Sequence, residues 1–137
     1  MIVVDASVLV ELLLGWPDAV EQVERELEEV HRDAMHAPDL VEPEALNALR
    51  RLVRARVITH QRAEAAVAHL GQVRLIRHPH PPLRARVWAL GDVLSAYEAT
   101  YLALTEVLDQ AVLLTADRGL AAIAVRVLGA PRVRHLA

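Results

Sequence analysis

A carboxylate stands at each of four places where this chain passes from a strand or loop into a helix, namely Asp5, Glu44, Glu98 and Asp117. In an open α/β fold, the carboxyl ends of parallel strands and the helix starts beside them lie along one edge of the sheet. Carboxylates held close together there repel one another and their pKa values rise. A divalent cation with oxygen ligands removes that cost. The pattern therefore predicts an α/β fold with an acidic site for magnesium or manganese.

Short aliphatic runs alternate with amphipathic segments along the chain. Residues 2–4 and 111–115 are continuously apolar, as buried parallel strands are, and weaker signals predict strands at 35–38, 73–77 and 133–136. Seven helices are predicted. The first four begin at Asp5 or Ser7 (ending at Leu14), at Pro17 (ending at residue 33), at Pro43 and at Thr59 (ending near Gly71), and the last three cover 83–91, 95–108 and 117–128. This alternation predicts a three-layer α/β/α sandwich with a mainly parallel central sheet. With 137 residues, no internal repeat and no long linker, we expect a single domain over residues 1–137.

Composition argues against several classes of protein. The chain has no Cys, so it has neither disulfides nor a thiolate metal site. It has no Lys, which P-loop enzymes place on phosphates and which haloacid-dehalogenase-like phosphatases and response-regulator receivers also use. The opening MIVVDASVLVELLLG lacks a basic leader and is interrupted by Asp5 and Glu11. No uncharged run reaches the length of a membrane span, so we expect a soluble, cytoplasmic protein with no membrane association.

Each of the four acids also has a local explanation. Asp5 and Asp117 suit helix N-caps, Glu44 lies in a first turn where the helix dipole favours an anion, and Ser95 with Glu98 forms an S-x-x-E capping box. If Ser7 caps the first helix instead, Asp5 remains available to the cleft. Caps therefore remain an alternative reading of every single position, and only the recurrence favours a common site.

Other acids compete for the same assignments. Glu42 precedes Pro43 and is a rival of Glu44, with a predicted place at the helix cap. Asp92 and Glu106 are interpreted as solvated surface charges. The four recurrent positions therefore remain the predicted set.

Four segments together resemble the PIN-domain family, and more narrowly the VapC-type toxins of VapBC toxin–antitoxin systems. They are VVDASVLVELLLG, PEALNALRRLVRA, LSAYEATYLALTEVL and LLTADRGLA, and the resemblance covers essentially the whole chain. It implies a magnesium-dependent endoribonuclease, with manganese as a possible substitute, whose acidic quartet is Asp5, Glu44, Glu98 and Asp117. The chain departs from the family at Glu98, where Asp is usual. The resemblance also implies an RNA substrate, a cognate VapB-type antitoxin that places a basic side chain in the acidic site, and a homodimer.

The expected chemistry follows from metal ions held by carboxylates. Such ions bind the scissile phosphate and lower the pKa of a bound water that attacks in line. We expect Asp5 and Asp117 to be the central ligands, with Glu44 and Glu98 acting through water or orienting the nucleophile. Thr115 matches a family position that often supports the site. Ser7 is a further candidate for support.

Arginines supply the candidate contacts to RNA phosphates. The candidates on the helix after Pro43 are Arg50, Arg51, Arg54 and Arg56, of which Arg50 and Arg54 lie one helical turn apart. Arg118 follows Asp117 directly. A solvated helix face, or pairing with Glu residues, is the favoured alternative for the four arginines on the helix. Among the seven His, His78 and His80 stand in the HPHPP segment at 78–82, which we expect to be a rigid, extended connection. Without an H-x-x-x-H pattern, we interpret them as solvated loop residues rather than zinc ligands.

Two other functions remain open at this point. The same fold can serve as a catalytically weak protein-binding module, with its acids acting as helix caps and Glu98 marking a decayed site. It can also be a metal-dependent nuclease or phosphohydrolase that acts on another substrate. Metal binding by the parent and by Asp5→Asn separates the first of these from a ribonuclease, and cleavage of RNA compared with DNA separates the second.

Overall fold

The computed structural model describes residues 1–29 and 34–136. Within these residues, five short strands form one sheet in which every neighbouring pair is parallel. The strands are β1 (Ile2–Val4), β2 (Met35–Pro38), β3 (Leu75–His78), β4 (Val112–Thr115) and β5 (Val133–His135). Their order across the sheet is β3-β2-β1-β4-β5. The predicted parallel α/β sheet, with its last strand at an edge, is confirmed.

Helices flank this sheet and connect its strands. They are α1 (Ala6–Leu13), α2 (Pro17–Glu29), α3 (Val41–Arg54), α4 (His60–Leu70), α5 (Arg84–Ala89), α6 (Ala96–Val107) and α7 (Arg118–Leu128), with short 3-10 turns at Pro81–Leu83 and Ala130–Arg132. Helix α6 packs on β1, β2 and β4, while α1 packs on α2, α3 and α4. Among the described residues, no helix is both long and apolar enough to cross a membrane.

The strand order creates a switch point at the centre of the sheet. The chain builds β1, β2 and β3 outward on one side, then returns to place β4 beside β1 and continues outward to β5. Ile2, Val3 and Val4 are fully buried, as are Leu113 and Leu114 of β4. In open α/β sheets, ligands bind outside the carboxyl ends of strands at such a switch point. Here that place lies beyond the ends of β1 and β4.

Helix α3 begins earlier than its Pro predicts. It starts at Val41, so that Pro43 is its third residue. The first turn of a helix leaves its N–H groups without helical partners, so a Pro there loses nothing. Leu49 is buried as predicted, but Leu46 and Val53 are only half-buried. The inner face of the helix is therefore rotated toward Val41 and away from Val53.

The HPHPP segment is less open than expected. Strand β3 is shifted from the predicted 73–77 and ends at His78, whose Nε2 lies 2.9 Å from Nδ1 of His36 on the neighbouring strand. The Nε2 atom of His80 accepts a hydrogen bond from the Leu40 N–H at 2.9 Å, and a 3-10 turn follows. The expectation of a solvated loop residue is therefore wrong for His78, which is half-buried at the end of β3. His80 is exposed as expected, although its ring accepts the Leu40 N–H. Within residues 1–29 and 34–136, no group of three His, Cys, Asp or Glu suited to a metal ion was found.

Helix α2 was predicted to run to residue 33 with Val30 on its inner face. Val23 is buried and Leu27 is half-buried on that face. Residues 30–33, and Val30 with them, lie outside the described residues. The prediction therefore holds as far as Glu29.

Arg132 holds together the end of α6 and the start of β4. Its guanidinium donates to the carbonyl oxygens of Thr105, Leu108 and Ala111, the last at 2.9 Å. We expect Arg132→Met to lower the free energy of unfolding by about 2 kcal/mol, because buried carbonyls lose charged donors. Urea denaturation measures this, with Arg126→Met, on an exposed position of α7, as the matched control. Equal stability of the two variants would contradict the assignment.

Candidate active site

The four predicted carboxylates line one cleft of about 360 Å³ at the carboxyl edge of the sheet. Asp5 follows β1, and Asp117 lies two residues beyond β4. Glu44 lies in the first turn of α3 and Glu98 in the first turn of α6. The structure thus brings together acids that are far apart in sequence. Their roles in catalysis and metal binding remain predictions.

Asp5 is the most enclosed of these acids, with only 4% of its surface exposed. Its Oδ1 accepts hydrogen bonds from Ser7 Oγ at 2.5 Å and from the Val8 N–H at 3.1 Å, and its Oδ2 accepts one from Thr115 Oγ1. Burial raises the pKa of Asp5, the charge of Asp117 raises it further, and the three hydrogen bonds oppose that rise. Asp5 is therefore a carboxylate whose charge is costly unless a cation is near.

The hydroxyls of Ser7 and Thr115 extend this network between the two central connections. Ser7 Oγ accepts from the Ala116 N–H at 2.9 Å, and Thr115 Oγ1 accepts from the Asp117 N–H at 3.0 Å. The idea that Ser7 caps α1 and leaves Asp5 unengaged is wrong, because Asp5 is the N-cap and Ser7 donates to it. Both hydroxyls therefore orient Asp5 and fix the loop after β4.

Asp117 and Glu98 also act as caps while they line the cleft. Asp117 Oδ1 accepts from the Leu120 N–H at 3.0 Å. Glu98 completes the predicted capping box with Ser95, each side chain accepting from the other's backbone N–H at 3.1 Å. In Glu98 the cap engages Oε1. Capping therefore fixes the orientation of these side chains without removing them from the cleft.

Glu44 is held by a tyrosine that the sequence analysis did not single out. The Tyr101 hydroxyl donates to Glu44 Oε1 at 2.6 Å, and Tyr101 is only 3% exposed. Burial raises the pKa of Glu44, as do the charges of Asp5 and Glu98, while the Tyr101 hydrogen bond and Arg51 lower it. Burial, followed by the bond to Glu44, raises the pKa of Tyr101, so this hydroxyl stays a donor. Tyr101 lies three residues after Glu98, and residues three apart share a helix face. That spacing could have identified Tyr101 as a site residue from the sequence.

Two more cleft residues were missed as site residues, Glu11 and Trp16. A third, Arg51, was predicted as one of four arginines on this part of the chain that could bind RNA phosphates. Burial raises the pKa of Glu11, and the charge of Asp5 adds to this. Of the arginines on α3, Arg51 lines the cleft, whereas Arg50 and Arg54 line a separate groove between α3 and α4. The helical phase of α3, which could not be fixed to one residue from the sequence, decides this.

Three other residues considered from the sequence do not line the cleft: Arg118, Glu42 and Glu106. Arg118 is exposed at the first position of α7, beside Asp117. Glu42, the rival of Glu44, forms an ion pair with Arg77. Glu106 is likewise paired, with Arg86 at 2.7 Å, so it is not simply a solvated charge. The roles of Arg50, Arg54 and Arg118 in RNA binding remain predictions.

The donor set of the cleft suits a hard divalent cation. Its four predicted carboxylates are ligands that Mg²⁺ prefers. Burial raises the pKa values of Asp5 and Glu44, and the charges of neighbouring carboxylates add to the rise, so a cation there would be favoured. Sharing a cleft is nevertheless a weaker condition than ligating one ion, because no group of three metal-binding side chains was found in the described part of the chain. Mg²⁺ keeps several waters. The arrangement thus fits an ion bound by few direct protein oxygens and by bridging waters.

Comparison with known proteins identifies the family. A model of the PIN domain matches residues 2–126. The chain is 40% identical over 120 residues to "Ribonuclease VapC3" of Mycobacterium tuberculosis (strain CDC 1551 / Oshkosh), covering 88% of this chain and 85% of that protein. It is 35% identical over 117 residues to "VapC ribonuclease Mb0985" of Mycobacterium bovis, covering 85% and 86% respectively.

A solved structure agrees with the sequence matches. The crystal structure of PAE2754 from Pyrobaculum aerophilum superposes with a TM-score of 0.65 at 26% identity, covering 96% of this chain and 81% of that one. Sequence relatives, fold and the acidic cleft at the switch point lead to the same assignment. The chain therefore belongs to the PIN-domain family, and within it to the VapC-type proteins.

Proposed function

We propose that this protein is the toxin of a type II toxin–antitoxin system, an endoribonuclease that requires Mg²⁺ or Mn²⁺ and cleaves single-stranded or structured RNA. The observation that carries the proposal is the cleft lined by Asp5, Glu44, Glu98 and Asp117, which come from four different helix starts. Its relatives named as VapC ribonucleases support the same reaction.

In this proposal Asp5 and Asp117 hold the metal most directly, while Glu44 and Glu98 contact it through water or orient the attacking water. The ion, when bound, supplies a water of lowered pKa and charge stabilisation at the phosphate. The chain's own part is to fix the acids in place. Ser7 and Thr115 hold Asp5, and the caps at Glu98 and Asp117 limit how far those side chains turn.

Partners follow from the same site. We propose a VapB-type antitoxin that inserts a basic side chain into the acidic cleft, where it would meet the excess negative charge. We also propose a homodimer acting in the cytoplasm. Large apolar side chains are exposed on and around α5 and α6, namely Trp88, Val93, Tyr97 and Val107. Trp88 and Tyr97 line one groove, which supports a protein contact there.

A catalytically weak binding module is the second candidate, and a specific observation favours it. Asp5, Glu98 and Asp117 each accept a hydrogen bond from a helix N-terminus or its capping box. Their presence is therefore compatible with a purely structural role. A metal-dependent nuclease for another substrate is the third candidate. The following experiments distinguish these functions from the ribonuclease.

Removal of the Asp5 charge tests catalysis. We expect Asp5→Asn to slow RNA cleavage in saturating Mg²⁺ by roughly 100-fold or more, because the central carboxylate of the site is lost. The matched control is Asp109→Asn, the same change at an exposed residue before β4, where the opposite edge of the sheet lies. Gel analysis of end-labelled RNA, with DNA of the same sequence and with chelator, provides the measurement. Equal rates for parent and Asp5→Asn would refute the proposed mechanism, and preferred cleavage of DNA would favour the third candidate.

Metal binding can be measured without any activity. We expect calorimetric titration with Mn²⁺ to show binding to the parent and an affinity about 10- to 100-fold lower for Asp5→Asn. Asp109→Asn should match the parent. If parent and Asp5→Asn bind Mn²⁺ equally, the binding-module candidate gains and the metal site is excluded.

The buried charge of Asp5 also predicts an unusual pH dependence of stability. The pKa of Asp5 is higher in the folded than in the unfolded chain. The folded state therefore binds this proton more tightly, and it loses stability as pH rises from the unfolded pKa to the folded pKa. In chelator at neutral pH, we expect Asp5→Asn to be more stable than the parent. The difference should shrink as pH falls toward the ordinary Asp value of 3.8. Thermal unfolding across this range measures it, and a less stable variant at neutral pH would contradict the account.

A further inference from the structure

Trp16 places a large aromatic side chain at the acidic cleft, and the carboxylate chemistry does not use it. It lines the cleft and is 40% exposed. Its backbone is fixed from both sides, because its N–H donates to the Glu11 carbonyl at 3.1 Å and its carbonyl accepts from the Val20 N–H at 3.1 Å. Gly15 precedes it with φ of 66°, which allows the tight turn between α1 and α2. The indole is therefore carried on an ordered turn.

Apolar side chains form another part of the cleft wall. Ala48 and Leu52 of α3 line the cleft with Trp16 and are only half-buried. A site that held only a cation and a phosphate would gain nothing from such a wall. A nucleobase has a flat π-face that stacks on indole and other aromatic rings irrespective of its sequence. The wall and the indole therefore suit a base rather than a phosphate.

A positive charge lies beside this wall. Arg51 lines the same cleft from α3, three residues after Ala48 and next to Leu52. Arginine is the side chain best suited to bind a phosphate oxygen pair through its planar fork. Base-stacking surface, cation and acids thus occur together, which matches the parts of one nucleotide and its neighbouring phosphate.

We propose that Trp16 stacks on an unpaired nucleobase next to the scissile phosphate, and that Arg51 binds a flanking phosphate. The substrate class of the cleft is then RNA with an unpaired base at the cut, in a single strand or a loop, because a base inside a duplex offers no free face to the indole. This inference deepens the proposed ribonuclease function and rests on it.

A peptide partner is the competing occupant of an exposed Trp. It would use the apolar wall equally well. A peptide would not require the apolar wall to adjoin the acidic site and Arg51. The fact that these features adjoin one another is the observation that favours RNA. The competing occupant is an outcome of the experiments below.

Fluorescence tests stacking directly, because the chain has two Trp and they line different clefts. In the cleavage-impaired Asp5→Asn background, Trp88→Phe leaves Trp16 as the reporter, and Trp16→Phe leaves Trp88, which is 87% exposed. We expect a short single-stranded RNA of mixed sequence to quench Trp16 emission and leave Trp88 emission unchanged. The same RNA with abasic nucleotides, or as a duplex, should quench Trp16 much less.

Several results would overturn the proposal. No response of Trp16 at saturating RNA would leave the indole to a protein partner. Equal quenching by the intact and the abasic strand would show backbone binding without stacking. A response of Trp88 alone would place the RNA on the other groove.

Kinetics give a second, independent readout. We expect Trp16→Ala to raise KM for the single-stranded RNA on the order of tenfold with little change in kcat, and Trp16→Phe to restore most of the parental KM. Val125→Ala, which truncates an exposed apolar side chain on α7 outside both grooves, is the control and should leave KM unchanged. Thermal unfolding of each variant verifies that it is folded, and the Phe variants used for fluorescence keep the test valid if Trp16→Ala does not fold.

An unchanged KM for Trp16→Ala, while Asp5→Asn is inactive, would exclude only the stacking role and leave the ribonuclease mechanism in place. Full cleavage by Asp5→Asn would instead exclude the proposed ribonuclease mechanism.

Discussion

The carboxylate of Asp5 is held almost out of contact with water between the two central connections of the sheet, and the rest of the site depends on how that charge is satisfied. Ser7 and the Val8 N–H bind it from the β1–α1 side, and Thr115 binds it from the end of β4. These bonds tie together two chain segments more than a hundred residues apart. They do not cancel the effect of burial, which still raises the pKa of Asp5. A cation at this place would lower the free energy of the folded protein as well as serve the reaction.

Capping and metal binding are not exclusive roles for the acids of this cleft. A carboxylate offers about four lone pairs, and a cap to one N–H uses one of them. In Asp117 the helix N–H binds Oδ1, and in Glu98 the capping box binds Oε1. Glu44 is held instead by the Tyr101 hydroxyl. Each acid is thus given a fixed direction by a hydrogen bond within the protein. Sites held in this manner lose less entropy when a ligand binds.

Features that depend on chain order were predictable from the sequence. The continuously apolar β1 and β4 and the acids directly after them determine which side chains meet at the switch point. Features that depend on helical phase or on long-range partners were not. A rotation of α3 by one residue decides that Arg51, and not Arg50, lines the cleft. Likewise, nothing near Glu44 in sequence indicates its bond to Tyr101, 57 residues away.

The histidines show the same limit in a different way. His78 and His80 lie in a Pro-rich segment whose composition is typical of an exposed connection. Their rings are nevertheless engaged, by His36 on the neighbouring strand and by the Leu40 N–H. Both partners come from the β2 region, about 40 residues earlier, so only the paired sheet reveals them.

The central claim is that the four carboxylates hold a divalent cation. The most direct test is a crystal structure of the protein crystallised with Mn²⁺, in which the anomalous scattering of the metal locates the ion. The account predicts an anomalous peak in the cleft, contacted by Asp5 directly or through one water, with Asp117, Glu44 and Glu98 around it. An empty cleft at saturating Mn²⁺, or carboxylate oxygens turned toward different faces with no ion between them, would contradict it.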